Sequence, residues 1–478
     1  MSITKEQTKT GTHPQFFILV TVFFFWGFVA AANDILIPVF KKFFDLEQWQ
    51  AQLVSFAFYI AYTVGSIIYL LISKALKADL LNKIGYKNGI AIGLLISGFG
   101  ALIFYPAAQA NSYALLLTGL FVVGLGFSLQ QTAAQPFAIL LGDPNSGSQR
   151  VNFAGGINNF GTTLGPILVS YAIFGSISSG AGADATVDSV KAPYLILGAL
   201  FFFFAVFFWL IKLPSVTQDV PSDSGFAALK YPQLVLGMIA IFLYVGAEVT
   251  IGSNLGEYLR VEDGLREDEL APYVSLFWAS LMIGRWTAGV SVFNPSPTMR
   301  KVLTVVVPYI AFGVYLLINF IRGTELTPLY IYSVCVLAII IAFFISQDKP
   351  AKMLLTFASF GAIATIIGIL GSGKIALYAL ISGGMFCSVL WPCIFTLAIA
   401  GLGKNTPQGS AFLIMMIMGG GFVSMFQSWL SGSIGIQQSY WVPVVCFVYL
   451  AWYAARVKGI LKSQGIDYES TTTSGGGH

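Results

Sequence analysis

The stretch Asn33-Asp34-Ile35-Leu36-Ile37-Pro38 decides how this chain is interpreted, because it places a carboxylate inside an apolar run from Gln15 to Phe40. A charged side chain at the centre of a bilayer costs at least ~2.5 kcal/mol on insertion scales. Such a carboxylate must face a water-filled cavity, pair with another group or bind a proton. The sequence therefore predicts that the other helices surround Asp34 with a polar cavity.

The composition is that of a membrane protein. Of the 478 residues, 56% are hydrophobic and 10% are charged, whereas soluble domains carry about 25% charged residues. The apolar runs are continuous and helix-length, unlike the alternating strands of a β-barrel. The net charge of +4 does not indicate nucleic acid as a partner. We therefore expect an all-α polytopic protein whose surroundings are a lipid bilayer.

Histidine and cysteine take no part in the predicted chemistry. The two histidines, His13 and His478, lie near the chain ends, so a proton inside the membrane must be carried by a carboxylate. The four cysteines lie inside apolar runs and indicate neither a disulfide framework nor a metal site. No nucleophile–base pair is recognisable, so we expect no cofactor, no resident metal and no enzymatic activity.

Fourteen apolar runs have close to the ~20 residues that a helix needs to cross a bilayer. They cover residues 15–40, 51–73, 88–108, 113–141, 151–177, 193–212, 232–257, 272–293, 302–321, 329–346, 351–371, 375–400, 410–432 and 438–457. If the N-terminus is cytoplasmic, seventeen Lys and Arg residues lie on the cytoplasmic side and seven on the other. The positive-inside rule therefore predicts that both termini are cytoplasmic.

A polar segment from Pro214 to Gln233 separates six predicted spans from eight. The predicted domains are an N-terminal tail, an N-terminal six-helix bundle, a cytoplasmic linker, a C-terminal bundle and a C-terminal tail, at residues 1–14, 15–212, 213–231, 232–457 and 458–478. The hairpin 302–346 is the best candidate for the two extra spans, because both its ends are cytoplasmic and it has few polar side chains. We expect it to be peripheral and lipid-facing, with Asn319 away from any central cavity.

Polar side chains inside the predicted spans are the candidate functional residues. The predicted substrate-binding residues are Asn33, Gln131, Gln135, Asn158, Asn159, Tyr244, Glu248, Asn254 and Trp391. Amides both donate and accept hydrogen bonds, so they match hydroxyl groups, and an indole stacks on the apolar face of a sugar ring. The pattern predicts a neutral-sugar site between the two bundles, with Asp34 and Glu248 as the residues that couple transport to a cation.

Each of these residues also has a structural alternative. Amides and hydroxyls join membrane helices at about 0.6 kcal/mol per hydrogen bond. Trp391 can serve interior packing, and Glu248 can pair with Arg285 inside the C-terminal bundle. Asp34 has no basic partner at its depth in its own half, which favours a functional role.

Several segments match one family of transporters. They are the stretch quoted above, Thr132-Ala133-Ala134-Gln135-Pro136-Phe137, Asn158 with Phe160-Gly161, Tyr244-Val245-Gly246-Ala247-Glu248, Gly284-Arg285 and Pro392-x-Ile394-Phe395-x-Leu397. On these residues the chain resembles the fucose/glucose/galactose–cation symporter family of the major facilitator superfamily, over nearly its whole length except the hairpin. The loop Asn82-Lys83-Ile84-Gly85-Tyr86-Lys87 resembles a degenerate form of the superfamily's basic loop motif.

The resemblance implies a major facilitator fold of two pseudo-symmetric six-helix bundles, to which the hairpin adds two spans. It implies that Asp34 takes part in proton coupling and that Asn158 contacts sugar. The family's fourth-span glutamate is replaced here by Gln131, and a nearby fifth-span glutamine by Gly155. These departures argue against fucose and favour another hexose, such as glucose, galactose, mannose or N-acetylglucosamine.

The prediction is therefore a monomeric transporter of the bacterial inner membrane that takes up a monosaccharide by alternating access. Proton coupling is the first hypothesis, and sodium coupling through Asp34 with oxygens of Asn33 or Gln131 is the alternative. A transporter of drugs or other non-sugar substrates is the second alternative, although the amide-rich cavity argues against it. A sugar sensor without transport would need a long signalling tail, and both tails are short.

Overall fold

The structure is a computed structural model that describes residues 12–44, 48–143, 146–174, 188–213 and 226–466. The side chains of some helical stretches, including residues 30–43 and 166–174, also lie outside the description. The described residues form α-helices and no strand: α1 (Phe16–Phe43), α2 (Gln48–Ala75), α3 (Leu80–Ile84), α4 (Tyr86–Gln109), α5 (Tyr113–Leu140), α6 (Gly147–Phe174), α7 (Asp188–Leu210), α8 (Pro232–Val261), α9 (Glu267–Gly289), α10 (Pro297–Ile321), α11 (Tyr332–Ser346), α12 (Pro350–Leu370), α13 (Gly373–Cys387), α14 (Leu390–Ile399), α15 (Thr406–Met415), α16 (Gly419–Ile434), α17 (Ile436–Ser439) and α18 (Trp441–Ser463).

The long helices confirm the predicted all-α membrane fold. Among the described residues, 12 helical segments are long and apolar enough to cross a membrane, with α13–α14 and α15–α16 each counted as one segment. The helices α1 and α6 add two more, since each has 28 residues and is therefore about 42 Å long. The total of 12 and 2 equals the fourteen spans expected from the sequence.

The two halves of the chain repeat one packing pattern. In the N-half (α1–α7), α1 packs on α6, and α4 packs against α5 and α7. In the C-half (α8–α18), α8 packs on α16, and α12 packs against α13 and α18. The helix α12 therefore holds the place that α4 holds in the N-half, which leaves α10 and α11 as the inserted hairpin. Residues 214–225, most of the predicted linker, lie outside the described residues.

The inserted hairpin is bonded closely to the C-half. The hydroxyls of Tyr332 in α11 and Ser280 in α9 are 2.8 Å apart and buried. Tyr315 of α10 donates to the carbonyl of Pro272 in α9 at 2.7 Å. The ring of Phe343 in α11 lies 4.9 Å from that of Phe357 in α12. These contacts make the hairpin part of the C-half rather than a loosely attached addition.

The two halves meet on the face of the molecule that carries residues 12 and 466, the ends of the described chain; it is here called the termini face. Ser410 Oγ of α15 donates to the Thr132 carbonyl of α5 at 2.9 Å. Asn82 Nδ2, in the basic loop, donates to the Lys404 carbonyl at 2.9 Å. These bonds join the halves on this side. The opposite side is here called the open face, because the cavity between the halves extends toward it.

Candidate functional site

A cavity of about 1160 Å³ lies between the halves and reaches the open face. At its closed end it is lined by Val151 of α6, and at its open end by Leu53 and Phe56, near the start of α2. The middle is lined from the N-half by Tyr62, Gln131, Gln135 and Asn158, and from the C-half by Tyr244, Glu248, Arg285 and Trp391. Polar and aromatic groups of both halves therefore face one space.

Two amides of the N-half each make one side-chain hydrogen bond within the described part of the chain. Gln131 Nε2 donates to the Tyr62 hydroxyl at 2.9 Å, and Asn158 Nδ2 donates to the Phe23 carbonyl at 2.9 Å. An amide has two N–H donors and a carbonyl with two lone pairs. Each side chain is thus fixed at one atom and keeps donor and acceptor capacity toward the cavity.

Two atoms of cavity-lining side chains are buried without a hydrogen-bond partner among the described residues. They are Gln135 Oε1, an acceptor on α5, and Trp391 Nε1, a donor on α14. Leaving such a group unsatisfied costs about 1–3 kcal/mol. Because both atoms are buried, a hydroxyl compound in the cavity can bond to them only after the two side chains rotate.

Arg285 on α9 organises the polar groups at the bottom of the cavity. Its Nη1 donates to Asn159 Oδ1 of α6 at 2.6 Å, which bridges the two halves. Its Nη2 donates to the Tyr244 hydroxyl at 3.3 Å and lies 3.8 Å from Glu248 Oε2. Tyr244 in turn donates to Glu248. The carboxylate of Glu248 is therefore compensated by a partly buried cation and a hydroxyl.

The break between α13 and α14 supplies a further partner for Arg285. Pro392 has no backbone N–H, so the carbonyl of Ser388 has no helical donor four residues later. Arg285 Nε donates to that carbonyl at 3.1 Å instead. The same break turns Trp391 to the cavity, with its ring 6.1 Å from the ring of Tyr244 and 6.0 Å from that of Phe395.

The family model described as "Major Facilitator Superfamily" matches residues 18–372. The chain belongs to the major facilitator superfamily. It is 34% identical to a glucose/galactose transporter of Brucella abortus biovar 1 (strain 9-941), over 91% of this chain and 92% of the relative. It is 28% identical to the L-fucose-proton symporter of Escherichia coli (strain K12), over 92% of each chain.

A solved structure gives the same assignment to this superfamily. The crystal structure of the major facilitator superfamily transporter FucP in the outward conformation matches with a TM-score of 0.72 and 27% identity. The match covers 93% of this chain and 98% of that chain. The superfamily and the named relatives are transporters, and the fold and family expected from the sequence are confirmed.

Most of the predicted site residues lie together in this superfamily fold. Gln131, Gln135, Asn158, Tyr244, Glu248 and Trp391 line the cavity. Asn159 contacts Arg285 across the halves. The side chains of Asn33 and Asp34 lie outside the described residues. For these two residues the roles inferred from the sequence stay predictions.

Asn254 lines the cavity, but its amide is bonded to protein. Its Nδ2 donates to the Thr250 carbonyl at 3.0 Å and to Gln427 Oε1 at 3.3 Å. Its Oδ1 accepts from Ser428 Oγ at 3.1 Å. Asn254 therefore joins α8 to α16, which is the interhelical role left open by the sequence.

The expectation that the inserted hairpin is wholly peripheral is wrong. Near the open face, Tyr315, Asn319 and Arg322 of α10 line the cavity together with Ser275 and Trp278 of α9. Sequence reasoning also missed Tyr62, which orients Gln131. The sequence did indicate a polar face on the hairpin, since Asn319 and Arg322 are three residues apart and therefore lie on one side of a helix.

Proposed function

We propose that this protein takes up a hexose by cation-coupled symport with alternating access. The observation that carries the proposal is the cavity between the halves, in which amides of the N-half face an indole and a charged network of the C-half. Amides match sugar hydroxyls and an indole matches the apolar face of a pyranose. The names of the relatives, glucose/galactose transporter and L-fucose-proton symporter, support the same substrate class.

Proton coupling is the proposed energy source. Among the residues that the structure describes, Glu248 is the one carboxylate that lines the cavity. Its contacts with Tyr244 and Arg285 let a change in its protonation alter the bonds at the bottom of the cavity. Asp34 is proposed as the second coupling carboxylate, from its place in the first span. Sodium held by Asp34 is the alternative that the experiment must separate.

The proposed setting is the bacterial inner membrane, with both termini in the cytoplasm and the protein as a monomer. The excess of Lys and Arg on the termini face supports this orientation. With the termini inside, the cavity opens to the outside, so the structure represents the state that receives external sugar. Binding near the midplane then favours closure of the open face.

Uptake by proteoliposomes that contain the purified protein tests the proposal. Glucose, galactose, mannose, N-acetylglucosamine and fucose are offered with an imposed pH gradient, an imposed sodium gradient or neither. We expect accumulation of a hexose only with the pH gradient. Accumulation that depends on sodium and is indifferent to pH would establish the sodium alternative, and the absence of any sugar uptake would exclude the proposed function.

A further inference from the structure

The cavity continues beyond the central site into a space between α9 and the inserted α10. This space, here called the side arm, is lined by Ser275, Trp278, Tyr315, Asn319 and Arg322. It lies toward the open face, because Ser275 is in the first half of α9, Trp278 is at its middle, and Tyr315, Asn319 and Arg322 are at the end of α10. The hairpin therefore adds a wall to the cavity that two six-helix bundles would lack.

The wall of the side arm is fixed by convergent hydrogen bonds. Ser275 Oγ and the Tyr315 hydroxyl both donate to the carbonyl of Pro272, at 2.8 and 2.7 Å. The Tyr315 bond ties α10 to α9 at the level of the cavity. Asn319 Nδ2 donates to the Tyr315 carbonyl at 3.0 Å, so the amide is also held at one atom. This is the arrangement seen for Gln131 and Asn158 in the central site.

The chemistry of the side arm repeats that of the central site. Asn319 is only 3% exposed, yet lines the cavity, and one bond leaves much of the hydrogen-bonding capacity of its amide available. The Arg322 guanidinium makes no hydrogen bond or ion pair with any residue in the described part of the chain, although it has five donors. The ring of Trp278 is 38% exposed and offers an apolar face. An amide, a guanidinium and an indole again surround one space.

We propose that the side arm is a second hexose-binding position, occupied by the sugar on its way from the open face to the central site. This inference rests on the proposed function, because it assigns the same substrate class to both positions. Hydroxyl groups bond to Asn319 and Arg322, and the sugar ring lies on Trp278. The position captures sugar and passes it inward, so it sets the efficiency of entry rather than the affinity of the central site.

The first test compares the KM of uptake with the equilibrium Kd in Asn319→Leu and Arg322→Gln. Loss of one hydrogen bond of about 1 kcal/mol should raise the KM for glucose or galactose about 5-fold. The Kd of the central site, from titration calorimetry on folded protein, should stay unchanged. Matched controls are Arg260→Gln, which removes the same charge on the open face outside the cavity, and Thr304→Val, whose hydroxyl bonds only within α10.

The second test detects the position directly. In a Gln131→Ala/Asn158→Ala background, saturation-transfer NMR with glucose and galactose should still show binding, and adding Arg322→Gln should raise the Kd of that binding about 5-fold. An unchanged KM in both single variants overturns the proposal, as does a rise in Kd equal to the rise in KM. A wild-type protein that neither binds nor transports any hexose overturns the proposed function as well, which distinguishes the two failures.

Discussion

At the scale of single residues, the central amides differ in how many of their polar atoms are hydrogen-bonded to other protein groups. Within the described part of the chain, Gln131 and Asn158 each make one side-chain hydrogen bond, to Tyr62 and to the Phe23 carbonyl. Asn254 is bonded at both Nδ2 and Oδ1. A ligand gains hydrogen bonds only from atoms that the protein leaves available. This difference supports the proposed role of Gln131 and Asn158 in sugar recognition, whereas the bonds of Asn254 join α8 to α16.

Removing a recognition amide should weaken sugar binding. Gln131→Ala and Asn158→Ala should each cost about 1–3 kcal/mol, or roughly 5- to 150-fold in affinity. Trp391→Phe should weaken binding less than Trp391→Ala, because a smaller ring still stacks. Titration calorimetry on folded protein measures these effects. Asn254→Ala is the control, which should lower the melting temperature and leave the sugar affinity unchanged. If Gln131→Ala, Asn158→Ala and Trp391→Ala all bind sugar with unchanged affinity, the site lies elsewhere.

The proposed coupling carboxylates predict a separation of accumulation from exchange. Asp34→Asn and Glu248→Gln cannot release a proton, so each should abolish sugar accumulation driven by a pH gradient while sugar exchange at equal concentrations persists. Exchange and accumulation are measured on the same proteoliposomes. If a variant still accumulates sugar at the wild-type level, the carboxylate it replaces does not couple transport to the proton gradient.

At the scale of elements, the inserted hairpin is also linked to the closed termini face. Arg300 at the start of α10 pairs with Asp348 just after α11, which closes the base of the hairpin. Ser291 Oγ donates to Asp348 Oδ2 at 3.0 Å and accepts from Arg300 Nη2 at 2.8 Å. Gln149 Nε2 of α6 donates to the Asp348 carbonyl at 3.1 Å. The base of the hairpin thus contributes one of the contacts between the halves.

Breaking that contact should favour opening of the termini face. Gln149→Ala removes one hydrogen bond of about 0.5–1.5 kcal/mol, which shifts the equilibrium roughly 2- to 10-fold. The readout is alkylation from the termini side of a cysteine introduced by Val151→Cys, at the closed end of the cavity. Gln437→Ala, which removes two 2.9 Å bonds inside the C-half, is the control. Equal alkylation with and without Gln149→Ala would show that the contact does not hold the halves together.

At the scale of the whole molecule, the proposed alternating access would require the contact between α6 and α9 to open and close. Trp286 Nε1 donates to the Gly156 carbonyl at 3.0 Å. A Cβ on Gly156 would lie 2.7 Å from Trp286 Cδ1, closer than carbon atoms can approach without a shift. The absence of a side chain at this position therefore permits the closed termini face.

Filling this position should hinder closure of the termini face. Gly156→Ala should push α9 away from α6, reduce the population of the outward-open state and slow sugar uptake. Gly313→Ala, at a helical glycine with open space around its Cβ position, should transport normally and be slightly more stable. Uptake rates and accessibility of the cavity from both faces measure the effect. Normal uptake by Gly156→Ala would show that α6 and α9 can accommodate the added methyl group while the termini face still closes.

The sequence alone determined the helical membrane fold, the two halves and seven of the residues that line the cavity, namely Gln131, Gln135, Asn158, Tyr244, Glu248, Asn254 and Trp391. These follow from run length, loop charge and polar residues in apolar spans, which are local properties. Tertiary structure decided that Gln131 is held by Tyr62, that Asn254 is bonded to Gln427, and that α10 brings Asn319 and Arg322 to the cavity. Such outcomes depend on the rotation of each helix against neighbours distant in sequence, which no local pattern specifies.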